Sequence, residues 1–419
     1  MVGAVARLTG LLVPIVIART FGVSGETDSF FLVYALMMFF TMTVARSLET
    51  SLVPFIMERK DDPERIRSFV GRIFAITLLG APVFGLVGYK AIGPLLRLVS
   101  DLPFVGSSSP EVFFVEILPM VLFLVWNSLL IALLNSHGKF VLAASSPAVR
   151  SGITLLLVLL LDRSHGIHAV PLGYSLGEGV RFLILLGGGV RYGLRPFALS
   201  WGLDAEFTDF LRVTSYQMVG LMIGGIGPFI DRAMATWTEV GSASILEYSE
   251  KILLIPILIV TSGVFSVFLP RWADISASGD RARMRSEVAR GTLAVVAASV
   301  AVTLPLILVS SVLVEVLFGQ GIRDPEVLRT VQWTSVVLLV GVPGYLAQQT
   351  LVYALLAMKH TRWIMIASVL KTAANVLLNL LLMARWGVRG IAAASGINAL
   401  LILALLLWVF RRETSLSTS

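Results

Sequence analysis

Cysteine is absent, histidine occurs four times, and charged residues make up only 14% of the 419-residue chain. The first absence excludes disulfides, thiolate metal sites and cysteine nucleophiles. The histidines, His137, His165, His168 and His360, fall in predicted loops without metal-ligand spacing, so no metal centre is expected. The scarcity of charge excludes more. Soluble domains are about 25% charged and about 45–50% apolar, whereas here 56% of residues are hydrophobic and the mean hydropathy is +0.87. Apolar runs long enough to cross a bilayer, about 20 residues, recur along the whole length. The short alternating segments of an outer-membrane barrel are missing too, which leaves an all-α polytopic membrane protein.

The hydrophobic pattern predicts twelve spans, near residues 3–20, 28–57, 64–98, 110–135, 140–162, 168–190, 206–236, 240–270, 284–317, 325–357, 361–386 and 388–410. The net charge of +7 is concentrated in "ERKDDPERIR" (58–67), "RYGLRP" (191–196), "RWADISASGDRARMR" (271–285), "MKHTR" (358–362) and the tail "RRETSLSTS". With a cytoplasmic N-terminus all five fall on one side, so the positive-inside rule places both termini in the cytoplasm and accounts for the basic charge without a nucleic-acid partner. The start "MVGAVARLTGLLVPIVIA" is short and carries an early arginine, but it lacks a small-residue cleavage site and is read as a helix of the mature chain, not as a signal peptide. Because that helix begins almost at Met1, a few residues of its start are expected to be missing or the start site misassigned.

The chain repeats itself. "IARTFGVSGETDSFF" followed by "SLVPFIMER" returns in altered form as "IDRAMATWTEVGSASILEYSEK" followed by "VFLPRWAD", with Pro54 and Pro270 each closing the second helix of a pair. Further on, "AVRSGITLLLVLLLDRSHGIHAV" is echoed by "VLKTAANVLLNLLLMARWGVRGIAA", which sets Arg150 opposite Lys371 and Gly166 opposite Gly387. The even number of helices makes the halves parallel repeats, lobes 1–200 and 201–419, and such repeats usually enclose a midplane cavity that opens alternately to each side.

A charge near the bilayer centre costs at least about 2.5–3.5 kcal/mol on insertion scales, so each one is a candidate functional group. Arg72, Lys90, Arg97, Arg329, Arg385 and Arg411 lie near helix ends and can snorkel to the headgroups. Arg7 shares a helix face with Gly3 and Gly10 and points to a tight contact or the cavity. Arg46 and Glu49 share a face of the second helix, either as a structural ion pair or as substrate contacts. Asp231 and Arg232 follow the glycine-rich "GLMIGGIGPF", where the small residues and Pro228 permit a bend and close packing. Glu247, Glu250 and Lys251 stand together in "EYSEK"; Glu178 and Arg181 have i,i+3 spacing. The candidate cavity charges are Arg7, Arg46, Arg150, Arg232, Lys251 and Lys371 against Asp28, Glu49, Asp231 and Glu250. This cationic excess suits an anionic substrate, since arginine forks phosphate and lysine supplies a point charge. No catalytic constellation is visible. "GEG" (177–179) and "GGIG" (224–227) are not phosphate loops, so neither an enzyme nor direct ATP coupling is expected, and no cofactor is implied.

"ARTFGVSGETDSFF" with "SLVPFIMERK", and "IDRAMATWTEVGSASILEYSEKILLIP" with "VFLPRWAD", resemble the first, second, seventh and eighth helices of the MurJ (MviN) lipid II flippase family of the multidrug/oligosaccharidyl-lipid/polysaccharide exporter superfamily. The resemblance implies an inner-membrane flippase that carries an undecaprenyl-pyrophosphate-linked glycan across by alternating access. It implies that Arg7 matches a family arginine of helix one, Asp28 the aspartate opening helix two, and Lys251 a family arginine of helix eight. Departures accompany it. Val13 and Pro14 stand where the family has an arginine and an acidic residue, "MMFFTM" replaces a mid-helix arginine for which Arg46 is a substitute, and the family's last two helices, which help to form a lipid-tail groove, have no counterpart.

The leading reading is a flippase for lipid II or a related polysaccharide unit, with Arg7, Lys251 and their neighbours capturing the pyrophosphate. Its partners are that glycan, membrane lipid, a monovalent cation and cell-wall synthesis enzymes. The alternative within the fold is a sodium- or proton-coupled multidrug exporter, with Asp28, Asp231 or Glu250 binding the ion and Glu49 a further gating candidate. From another class come a non-transporting scaffold for cell-wall enzymes and a glycosyltransferase, the latter disfavoured by the shortness of the loops.

Overall fold

A backbone in hydrocarbon has no water to bond, so every N–H and C=O must be satisfied within the segment, which selects helices. The computed structural model describes residues 2–104, 108–194, 200–202, 204–262 and 264–415, with the side chains of 2–8 and 266 excepted, and among them there is no strand. Nine helical stretches among the described residues are long and apolar enough to cross a membrane. With shorter and interrupted helices included, the described helices fall into the twelve predicted positions.

The chain forms two compact units, Met1–Phe229 and Ile230–Ser419. The first contains α1 (Val2–Phe21), α2 (Gly25–Glu58), α3 (Pro63–Val99), α4 (Pro110–Ser136), α5 (Phe140–Ser145), α6 (Pro147–His165), α7 (Ala169–Arg191) and α8 (Ala205–Gly225). A ninth helix, α9 (Gly227–Ala235), crosses into the second unit, which continues with α10 (Ser242–Thr261), α11 (Val264–Ala277), α12 (Arg281–Leu308), α13 (Ser310–Phe318), α14 (Pro325–Ala357), α15 (Thr361–Trp386) and α16 (Val388–Ser415).

Local chemistry explains several of the helix ends. Gly22 takes φ +65°, a left-handed conformation that stops α1. Two residues later Ser24 starts α2 with a capping box: the Thr27 N–H donates to Ser24 Oγ at 3.3 Å and the Ser24 N–H to Thr27 Oγ1 at 2.9 Å. Glu26 and Asp28 therefore sit in the first turn of α2, where the helix dipole favours carboxylates. Pro147 and Pro228 lie just inside α6 and α9, the first-turn position where a missing N–H is cheapest. The predicted stop at Pro270 is corrected: α11 runs through it to Ala277, because a membrane helix tolerates proline, as it does here at Pro54 and Pro305. The glycine-rich segment is interrupted at Ile226, between α8 and α9; within it a Cβ at Gly225 would lie 3.8 Å from the Phe39 ring, whereas one at Gly220, Gly224 or Gly227 would meet nothing within 4 Å.

In lipid, apolar contact alone does not drive helices together, so close backbone approach and polar pairs carry the packing. In the first unit α4 packs on α2 and α7, and α6 on α7 and α1. Gly173 and Gly177 form a G-x-x-x-G face on α7: a Cβ at Gly177 would lie 2.8 Å from the Arg150 carbonyl oxygen, and one at Gly173 3.0 Å from Thr154 Cα. An aromatic cluster fills one end of this unit, with Phe55 and Phe69 stacked at 3.7 Å and Phe207 and Phe210 against them. In the second unit α14 packs on α16, α12 and α10, and α15 on α16; a Cβ at Gly341 would lie 3.1 Å from Gly396 Cα.

The basic connections are drawn together within the first unit. Arg59 and Arg65 both bind Glu206, at 2.6 and 2.7 Å, and Arg72 binds Asp204 at 2.5 Å. Asp204 also caps α8 by accepting from the Phe207 N–H at 2.8 Å. The hydrogen bond from Arg72, with that from Phe207, holds the Asp204 carboxyl below its usual range.

Candidate functional site

Four side chains from three helices meet inside the first unit. Glu178 on α7 is fully buried. Arg181, one turn on, donates from Nη1 to its two carboxylate oxygens at 3.2 and 3.1 Å and from Nε to Ser146 Oγ at 3.0 Å. Asn127 on α4 donates from Nδ2 to Glu178 Oε2 at 2.6 Å and to the Glu178 carbonyl at 3.2 Å. Arg150 on α6 reaches the same carboxylate only at 3.5 Å, while its guanidinium lies 5.6 Å from the centre of the Tyr174 ring. Two guanidiniums thus share one carboxylate.

In the second unit Arg232 on α9 binds Glu247 and Glu250 on α10, the latter at 2.6 Å, and Lys251 binds the other oxygen of Glu247 at 2.6 Å. These four side chains carry two charges of each sign. Beside them, Asp231 Oδ1 accepts from Asn379 Nδ2 of α15 at 2.7 Å. Lys371, two turns before Asn379, stands 5.7 Å from the Tyr345 ring centre, and its carbonyl accepts from Asn398 at 2.9 Å. The repeat therefore has a physical counterpart: Arg150 and Lys371, matched by sequence, each face a tyrosine ring at nearly the same distance.

The candidate residues sort as follows. Arg232, Lys251 and Glu250 meet in one cluster, with Asp231 adjoining and Lys371 on the helix that holds its partner Asn379. Arg150 belongs to the cluster of the first unit. Asp28 is fully buried in the first turn of α2. Arg46 is exposed and Glu49 half-buried on α2, and the two form no salt bridge with each other. Arg7 falls outside the described side chains, and Val13 and Pro14 are buried in α1. Glu247, Glu178 and Arg181 were visible as spaced charges but not singled out as site residues. Asn127 and Asn379 were missed; the signal was a lone amide within the apolar runs "LVWNSLL" and "VLLNLLL", which in a bilayer needs a partner. Among the described residues no group of three or more His, Cys, Asp or Glu is placed to hold a metal ion.

The family profile described as lipid II flippase MurJ matches residues 17–419. A probable lipid II flippase MurJ of Bdellovibrio bacteriovorus is 22% identical over 386 residues, covering 86% of this chain and 71% of that protein. Among solved structures, lipid II flippase MurJ in an inward closed conformation superposes with a TM-score of 0.82 at 18% identity, covering 97% of this chain and 86% of that one. An inward-facing multidrug resistance MATE family transporter of the MOP superfamily superposes equally well, with a TM-score of 0.83 at 14% identity over 99% of this chain and all of that one. The structural likenesses fix the fold, a multi-pass helical transporter fold common to both groups, and the profile match over nearly the whole sequence fixes the lineage: the chain belongs to the MurJ family.

Proposed function

We propose that the protein is a flippase of the bacterial inner membrane that carries an undecaprenyl-pyrophosphate-linked glycan, lipid II or a related polysaccharide unit, from the cytoplasmic to the outer face. The observation that carries this reading is membership of the MurJ family over residues 17–419. The polar clusters support it: they put guanidiniums inside a bundle with few charges, and a guanidinium matches the paired oxygens of a pyrophosphate. Lobes 1–200 and 201–419 rock about the substrate, with both termini cytoplasmic, and Arg7, Asp28, Arg46, Arg150, Arg232, Lys251 and Lys371 provide its contacts. Asp231 is the group for a coupling cation, since the neighbouring oxygens Asn375 Oδ1 and Asn379 Oδ1 are buried without hydrogen-bond partners and hard cations favour oxygen donors. Glu49 and Glu250 take part in gating. The role is transport, without a catalytic step, and cell-wall synthesis enzymes are its partners in the membrane.

Rescue of cells depleted of their lipid II flippase tests the reading. Growth with the wild-type chain is expected, with loss of rescue in R150Q and K251Q at unchanged protein level. Restoration of polysaccharide export without rescue assigns the related unit. Drug efflux without either overturns the flippase reading in favour of a multidrug exporter. Transport by D231N that keeps the sodium or proton dependence of the wild type would remove Asp231 from the coupling step.

A further inference from the structure

The cluster of the first unit contains more positive charge than its carboxylate can neutralise, and its geometry says which arginine is in excess. Both oxygens of Glu178 are within 3.2 Å of Arg181, and Asn127 holds one of them at 2.6 Å. Arg181 is fixed at its other edge by Ser146 Oγ. Arg150 is the outlier: its contact with Glu178 is 3.5 Å, its Nε is buried without a hydrogen-bond partner, and its side chain is 20% exposed against 10% for Arg181 and 0% for Glu178. The charges nearby do not change the balance. Arg46 and Glu49 on α2 add one charge of each sign; Glu49 acts electrostatically on Arg181 and Arg46 without forming a salt bridge, while the carboxylate that acts on Arg150 is Glu178.

We infer that Arg181 is a positioning residue, which by occupying Glu178 keeps Arg150 uncommitted as the guanidinium that binds the oxyanion of a phosphate-bearing substrate. This rests on the proposed transport of a pyrophosphate-linked lipid. Two further features hold Arg150 in place for that role. Gly177, next to Glu178, brings α7 against the Arg150 backbone, and the Tyr174 ring lies beneath the guanidinium, itself stacked on Tyr34 at 5.2 Å and 17°. A planar cation held on an aromatic face keeps its N–H edge directed outward for a bidentate acceptor. Were Arg181 neutral, Glu178 would be left with one cationic partner, and Arg150 would close on it as an ordinary buried pair, giving up its excess charge.

The test is binding of farnesyl pyrophosphate by the full-length protein in phosphatidylcholine nanodiscs. R181Q is expected to weaken binding about tenfold or more although Arg181 does not touch the ligand, and R181K to stay within about threefold of wild type. The double variant R181Q/E178Q, in which Arg150 again has no carboxylate to pair with, is expected to recover to within about threefold. E178Q alone is expected to bind at least as tightly as wild type. Unchanged binding in R181Q, or a double variant as weak as R181Q, overturns the inference, because a purely structural network would be damaged further by the second substitution. If R181Q is not recovered folded, E178Q decides by itself, and weaker binding than wild type sinks the idea. R150Q separates the two levels. Wild-type affinity in R150Q removes the substrate site in this cluster, whereas loss in R150Q without recovery in the double variant removes only the role given to Arg181.

Discussion

Glu247 and Lys251 stand one turn apart on α10 and meet at 2.6 Å, the acidic residue nearer the helix N-terminus. The same order holds in the other same-helix pairs that form among the described residues: Glu64 with Arg67, Glu178 with Arg181 and Asp209 with Arg212. Arg46 and Glu49, with the cation first, do not pair. Side chains lean toward the helix N-terminus and the dipole favours acid before base, so the direction of the spacing decides as much as its length.

Arg232 binds both carboxylates of α10, so removing it leaves two acidic groups close together without their shared cation. R232A is expected to cost about 3–5 kcal/mol, the range for breaking a buried ion pair, and E250Q, which touches the more exposed partner, under about 1 kcal/mol. Thermal unfolding of the purified protein in detergent checks both; similar stability in R232A and wild type would mean that the carboxylates find other partners.

Gly177 and Gly152 offer a matched comparison on facing helices. A methyl at Gly177 runs into the Arg150 carbonyl at 2.8 Å, whereas one at Gly152 meets nothing within 4 Å. G177A is therefore expected to destabilise by about 1–3 kcal/mol through overpacking, and G152A to be neutral or mildly stabilising through helix propensity. Equal melting temperatures for the two variants would show that α6 and α7 separate without cost.

The bond between Arg72 and Asp204 should be visible as a pH effect. The folded carboxyl titrates below its ordinary 3.8, so its contribution is fully present above that value and fades as the pH falls through the lower folded value. The stability gap between wild type and D204N is expected to be open at neutral pH, to narrow below about pH 4, and to shrink with added salt, since the pair is exposed. A gap that widens in acid would contradict the assignment.

The lack of cysteine gives a clean background for accessibility mapping. R46C is expected to react with a water-soluble thiol reagent, and S47C, fully buried on the same helix, to stay unlabelled. An inert R46C would put this side chain against lipid or protein and withdraw it from the substrate contacts.

The spans were legible because bilayer thickness and backbone hydrogen bonding leave one solution for a run such as residues 325–357. Of the breaks inside the predicted spans only the one at Pro228 was expected; the span predicted over 140–162 is interrupted at Ser146, before Pro147, and that over 284–317 at Val309, and neither interruption was foreseen. Pro270 misled, since its helix continues to Ala277. Within the site, the pairs Glu178–Arg181 and Glu247–Lys251 followed from spacing on one helix, whereas Arg46 and Glu49 have the spacing without the salt bridge, and the contacts across helices carried no such signal. Asn127 and Glu178 are 51 residues apart and Asp231 and Asn379 148, and their contacts exist only once α4 lies on α7 and α15 reaches α9.

The turn between α1 and α2 carries its own helix signals: Gly22 ends one helix, and Ser24 and Thr27 cap the next. These stop and start signals lie within "FGVSGET". A stop at Gly22 followed two residues later by a start at Ser24 means that both helices are delimited at this turn by backbone conformation and capping, not by where the apolar run ends.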